Sequence, residues 1–244
     1  MSPTFQWPDG KRCAVSFSFD DARKSQLDVG MPILDEFDVR ATFYVSLTPF
    51  REASRAWRAA FDRGHEIGNH TVNHPCSANY HWCKVHVEDY TLEQMERELA
   101  DAQHAIHEAT GVVPSTFAYP CGNTWVGRGG RTQCYVPLVS RRFLAGRGFR
   151  NETTNKPALC DLAHVAGVDA DRHPFETLKL WIDRAIERGA WLCFVNHDVS
   201  PTLDQAIKPD TLRRACEYVR EAGGVWVDTI ANVARHVAAA RTGS

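Results

Sequence analysis

Cys13-Ala14-Val15-Ser16-Phe17-Ser18-Phe19-Asp20-Asp21 is an apolar run that stops at two adjacent carboxylates. A run of this length without a charge, bounded by polar residues, reads as a strand buried on both faces, as strands of a parallel sheet are. Similar runs recur at residues 41–45, 117–119, 191–195 and 225–227. Segments with helical spacing lie between them, at residues 26–37, 51–63, 174–188, 210–222 and 229–240. A further helix opens on the capping-box sequence Thr91-Leu92-Glu93-Gln94, carries Leu92, Met95, Leu99 and Ile106 toward a core, and ends before Gly111. Alternation of strand and helix predicts right-handed βαβ units, closed as a barrel or laid out as a doubly wound sheet. Residues 121–163 are rich in Gly and Arg and read as long loops.

The chain has 244 residues, a length that one α/β barrel accommodates, so a single domain over 1–244 is expected. Hydrophobic residues at 43% and charged residues at 24% exclude a disordered or fibrous protein. Lys and Arg number 28 against 30 Asp and Glu, a balance that offers no positive field for nucleic acid or an anionic membrane. No apolar run approaches the roughly 20 residues that span a bilayer. Residues 1–8 have neither a basic nor an apolar leader segment, so a cytoplasmic location is the expectation, with secretion left for a trimmed leader. The eight cysteines are scattered with no CxxC pair and are expected to be free, partly buried thiols.

In an α/β barrel the working groups follow the carboxyl ends of the strands, and three such places carry chemistry. Asp20 and Asp21 follow the first strand and must point in different directions, so one can bind a cation while the other takes a proton. In Gly64-His65-Glu66-Ile67-Gly68-Asn69-His70-Thr71-Val72-Asn73-His74-Pro75, His70 and His74 are four apart, which on a helical turn puts both imidazoles on one face. Two histidines and a carboxylate, which Asp21 can supply, form a recurrent catalytic zinc set with open positions. Finally, His197 follows the late strand in Asn196-His197-Asp198.

Ser18-Phe19-Asp20-Asp21, His70-Thr71-Val72-Asn73-His74, Tyr119-Pro120-Cys121-Gly122 and Asn196-His197-Asp198 together resemble the ordered motifs of the polysaccharide deacetylases, the NodB-homology or carbohydrate esterase four family. The resemblance runs from about Cys13 to the segment at residues 228–233. It implies a distorted, TIM-like (β/α)7 barrel and a hydrolase that removes acetyl groups from a carbohydrate with a divalent cation, Zn2+ or Co2+. Carried across residue by residue, it makes Asp20 the general base, Asp21, His70 and His74 the metal ligands, and His197 the general acid. It also makes the Cys121 amide an oxyanion donor in the Tyr119-Pro120-Cys121 turn, and Trp125, in the loop beyond that motif, is a candidate substrate contact. The partner it implies is an acetylated carbohydrate, whether an N-acetyl amino sugar or an O-acetyl polysaccharide such as xylan.

The chain also departs from that pattern. Many relatives carry an arginine where this chain has Ala118, and Arg147 or Arg150 would have to replace it in space. The family's fourth motif is not recognisable, and Asp169 and Asp171 are the nearest candidates to support the base. Cys121 stands where an aromatic residue is common. Tyr80, Trp82, Trp125 and Tyr135 can stack on sugar faces, and Arg128 and Arg131 can meet an acidic sugar. Two other readings compete: a metal-dependent amidohydrolase of small cyclic amides or imides on the same fold, and a carbohydrate-binding relative without activity. Open loops with aromatic subsites favour the carbohydrate; a small closed pocket favours the cyclic amide.

Overall fold

The computed structural model describes residues 5–242, so the leader reading at Met1–Thr4 lies outside the described residues. The strands are β1 (Cys13–Asp20), β2 (Thr42–Val45), β3 (Glu66–Asn69), β4 (Thr116–Ala118), β5 (Ala145–Arg147), β6 (Val168–Asp169), β7 (Trp191–Asn196) and β8 (Val225–Val227). All pair in parallel, in the order β5-β4-β3-β2-β1-β7-β6. β8 pairs with Cys13–Val15 of β1, on the same edge that meets β2 further along at Ser18–Asp20. The seam is short: Arg147 bridges Val165 in parallel, and Val168 and Asp169 pair with β7, so residues 165–169 join the two ends. The result is a distorted (β/α) barrel.

β1 shows why the sequence folds this way. All eight of its residues are buried, with Val15, Phe17 and Phe19 in a large cluster that includes Ile33, Ile182 and Leu212. Those partners lie in or beside the surrounding helices α1 (Met31–Glu36), α6 (Phe175–Arg188) and α7 (Pro209–Glu221). The alternate residues are small or polar and serve the interior, where the Ser16 hydroxyl accepts from the Trp191 indole at 3.0 Å. Interior residues Ala14, Tyr44, Ala118, Ala145 and Cys193 cluster with Ile230, Val233 and Val237 of α8 (Ile230–Thr242), which closes the end of the barrel where the strands begin. That plug is polar at its tip. The Glu66 carboxylate accepts from the Thr42 and Thr116 hydroxyls, at 2.8 and 2.5 Å, and from the Ala231 amide at 2.9 Å.

Gly68 lies opposite Tyr44 in register, and a Cβ there would run into the Tyr44 ring. The missing side chain is what lets tyrosine fill the middle of the barrel.

The other helices are α2 (Leu47–Glu52), α3 (Ser54–Asp62), α4 (Leu92–Thr110) and α5 (Val136–Arg142). The expected capping box on α4 is present, with Gly111 in a left-handed turn behind it. Three local expectations are corrected. The helix expected over 51–63 is two helices, broken at Ala53. His70 and His74 are not on a helix: β3 ends at Asn69, and the next turn contains left-handed backbone at Thr71 (φ 66°) and His74 (φ 51°). Residues 121–163 hold α5, β5 and a small antiparallel ribbon, Trp125–Val126 with Gln133–Cys134, rather than loops alone.

Because the Tyr44 ring fills the space beside Gly68, Gly68→Ala is expected to destabilise the protein by about 2 kcal/mol through overpacking. A urea-unfolding midpoint measured against the parent, with the slope unchanged, checks this.

Candidate active site

Asp20 closes β1, 3% exposed, and its Oδ1 takes a charge-assisted hydrogen bond from Arg147 Nη2. The Arg147 side chain has no solvent exposure; its Nη1 donates to the Gly148 carbonyl at 3.0 Å and its guanidinium lies 5.0 Å from the Tyr44 ring centroid. Arg147 pairs in register with Ala118, so the arginine sits one strand over from the position where many relatives carry it. Arg150 is committed elsewhere, donating to Asp169 at 3.1 Å and lying over the Phe149 ring.

Asp21, the next residue, turns away in left-handed backbone (φ 75°) toward two imidazoles. Its Oδ1 is 3.8 Å from His70 Nε2 and 3.6 Å from His74 Nε2, and the two Nε2 atoms are 3.1 Å apart. The three donor atoms lie within 4.8 Å of one another. His70 Nδ1 is 2.9 Å from the Ala118 carbonyl, an acceptor, so Nδ1 carries the proton and Nε2 presents a lone pair. Burial pushes the Asp21 carboxyl up, but the imidazoles of His70, His74 and His197 and the Arg23 guanidinium outweigh it and hold the carboxyl well below the usual range. Burial, and then the neighbouring His70, push His74 down to about 4 against the pull of Asp21 and Asp20. An ionised carboxylate and neutral imidazoles are the forms that bind a divalent cation, so this donor set fits one.

His197 follows β7, and its Nδ1 is 2.6 Å from Asp171 Oδ2 while its amide donates to Asp171 Oδ1 at 3.1 Å. Burial opposes charge on His197, yet the Asp171 hydrogen bond and the carboxylates of Asp20, Asp171 and Asp21 raise its pKa above the ordinary value. Asp171, expected to support Asp20, thus holds His197 instead, and Asp169 holds Arg150 and the Asp171 amide.

These groups share a cavity of about 760 Å³ that Asp20, Asp21, His70, His74, Cys121 and His197 line. In the turn after β4, the Gly122 amide donates to Tyr119 and the Asn123 amide to Pro120, whereas the Cys121 amide has no acceptor among the described residues. The rest of the expected substrate set lies outside the cavity lining. The Tyr119 hydroxyl donates to the Ala163 carbonyl, Pro120 is buried in the turn, and Trp125 pairs with Cys134 in the ribbon. Tyr135 is also buried, its hydroxyl on the Asn123 carbonyl. Tyr80 and Trp82 do line the mouth, their rings 5.5 Å apart and the Trp82 ring 6.2 Å from His74.

Several supports went unread in the sequence. Cys76 and Cys121 are disulfide-bonded, which corrects the expectation of free thiols at those two positions. Glu98, on α4, takes the Val72 and Asn73 amides on Oε2 at 2.8 and 2.9 Å and the Tyr90 hydroxyl on Oε1 at 2.8 Å, clamping the turn between the histidines. Its signal was visible, a carboxylate inside the apolar stripe of Met95, Leu99 and Ala102. Gln26 ties the ends of β1 and β7 by donating to the Asp20 and His197 carbonyls at 2.6 and 2.8 Å.

A family model described as polysaccharide deacetylase matches residues 8–126, a span that holds Asp20, Asp21, His70, His74 and Cys121. Over that span the chain is similar to the polysaccharide deacetylases. It is 23% identical over 109 residues to a peptidoglycan-N-acetylglucosamine deacetylase of Listeria monocytogenes, covering 44% of this chain and 21% of that protein. It is 28% identical over 119 residues to a gellan lyase of a Bacillus species, 48% of this chain but 4% of that one. The match to these relatives therefore spans only a small part of their length. Among solved structures, one from Mycobacterium smegmatis, provisionally described as a polysaccharide deacetylase, superposes with TM-score 0.70 at 21% identity, over 96% of this chain and 93% of that one. A family 4 acetyl xylan esterase from Clostridium thermocellum, complexed with cobalt, gives 0.60 at 19% identity over 90% and 89%. These show that the deacetylase fold extends well beyond the matched half.

If Glu98 holds the histidine turn, Glu98→Ala should weaken cobalt binding about 10- to 100-fold, the usual scale for loss of an outer support. Calorimetric titration of the apoprotein with Co2+ measures it.

Proposed function

We propose that this protein is a metal-dependent hydrolase that removes acetyl groups from an acetylated carbohydrate. The observation that carries the reading is the convergence, on one open cavity, of a buried aspartate held by arginine, a three-residue cation site and a histidine backed by a carboxylate. Tyr80 and Trp82 at the mouth supply the apolar faces on which sugars stack, which favours a carbohydrate over a small cyclic amide. No helix of the described residues is long and apolar enough to cross a membrane.

Asp21, His70 and His74 would hold the divalent cation, Zn2+ or Co2+, which when bound supplies Lewis acidity for activating water and polarising the acyl carbonyl. Arg147 fixes Asp20 through Oδ1, leaving Oδ2 to take the proton of the attacking water. Cys121 lines the cavity and its amide has no acceptor among the described residues, so it would donate to the oxygen on which negative charge develops. With Nδ1 committed to Asp171, His197 presents Nε2–H, the atom that hands a proton to the departing amine or alkoxide. The products are acetate and a deacetylated sugar.

Acetate release from chitooligosaccharides, acetylated xylan and acetylated monosaccharides, each with chelator and with zinc restored, tests the reading. Release that chelator abolishes and zinc restores is expected; with metal bound and no sugar hydrolysed, the reading fails. Asp20→Asn should keep its metal by elemental analysis and lose nearly all turnover. The pH profile tests the acid. His197 must be protonated to act, so activity falls as pH rises through its raised pKa. Asp171→Asn removes the hydrogen bond and charge that raise it, and the alkaline limb of kcat should move to lower pH. An unmoved limb would take His197 out of that role.

A further inference from the structure

The Cys76–Cys121 disulfide joins the two turns on which the site is built, across 45 residues of sequence. Cys76 lies two residues beyond His74, and its Sγ is 3.6 Å from His74 Nδ1. Cys121 lines the cavity, and its amide has no acceptor among the described residues. Both turns are conformationally costly: His74 and Cys121 are non-glycine residues in left-handed backbone, at φ 51° and 53°. Such conformations persist only where the surroundings over-determine them. Hydrogen bonding between the two turns is sparse, the nearest being the Ser77 amide to Asn123 Oδ1 at 3.1 Å. The disulfide therefore ties the turn of a metal ligand directly to the turn of the oxyanion donor, while Glu98 holds the first of them to α4.

We propose that the Cys76–Cys121 disulfide is a positioning element of the active site, so that cation affinity and turnover depend on its being intact. The inference rests on the catalytic reading above. Opening the bond takes two electrons and two protons from a dithiol: the S–S bond breaks, two thiols form, and the dithiol closes to its own disulfide. Without the bond nothing covalent ties the two turns, and the left-handed backbone at His74 and Cys121 is free to relax and shift them apart. A displacement near 1 Å at a reacting group costs on the order of 100-fold in rate.

The test compares the parent chain with Cys76→Ala/Cys121→Ala. Alanine is chosen because the opened thiols, with His74, form a second donor set able to take metal. Cobalt titration of the double variant then reports on Asp21, His70 and His74 alone. Cobalt affinity about 10- to 100-fold weaker, with kcat down about 100-fold and KM little changed, is expected. Unchanged affinity and kcat overturn the proposal whatever happens to the melting temperature, because a disulfide that serves only stability moves Tm and nothing else. If the double variant does not fold, the parent is reduced with dithiothreitol and freed of reductant. Its turnover should fall as two new thiols are counted and return on oxidation with glutathione disulfide; turnover unchanged with two thiols exposed overturns the proposal. Should the oxidised parent hydrolyse no acetylated sugar, the catalytic reading fails by itself, and the cobalt titration still decides the role of the disulfide.

Discussion

A guanidinium without solvent exposure sits inside the barrel, and Asp20 is the carboxylate that meets it. A buried charge left unpaired is very costly, so Arg147 and Asp20 constrain each other and everything between them. Tyr44 lies under the guanidinium, and Gly68 leaves the room that Tyr44 needs. β5 must end beside β4 for the arginine to reach, which the short seam through Val165 allows. The distortion of the barrel and the placement of the proposed base are thus one arrangement.

The remaining groups follow the same logic, each held by a residue from a different element. His70 is oriented by a carbonyl of β4, the turn bearing His74 by Glu98 of α4, and His197 by Asp171 beyond β6. Gln26 couples the ends of β1 and β7, so that Asp20 and His197 keep their separation. Positions fixed from several elements are what preorganised chemistry requires, because reorganising dipoles during a reaction forfeits their electrostatic benefit. They also show how a guanidinium can reach Asp20 without an arginine at position 118: what is needed is the charge at one point in space, and a neighbouring strand supplies it.

Much of this was legible in the residues. The uncharged run at 13–19 ending in two carboxylates announced a buried parallel strand, and that is where β1 lies, with Asp20 and Asp21 at its end lining the candidate cavity. The capping box at Thr91 placed the start of α4 because capping is local. What stayed hidden depends on pairing at a distance. β5 is Ala-Gly-Arg, with no β-branched residue, and becomes a strand only because β4 and Val165 offer it hydrogen bonds. Cys76 and Cys121 have no spacing that marks a pair, since only the fold brings their Cα atoms to 6.0 Å. The HxxxH spacing drew both histidines together for the wrong local reason, a strained turn doing what a helix was expected to do.

The central claim is that Asp20, the proposed base, is oriented by an arginine from β5 standing in for one on β4. Turnover of Arg147→Met, alone and combined with Ala118→Arg, tests it most directly. The single variant should keep its metal and lose roughly 100-fold in kcat, as misplacement of a reacting group does, and the added arginine on the adjacent strand should recover a substantial part of that loss. Parental turnover in Arg147→Met alone would contradict the account.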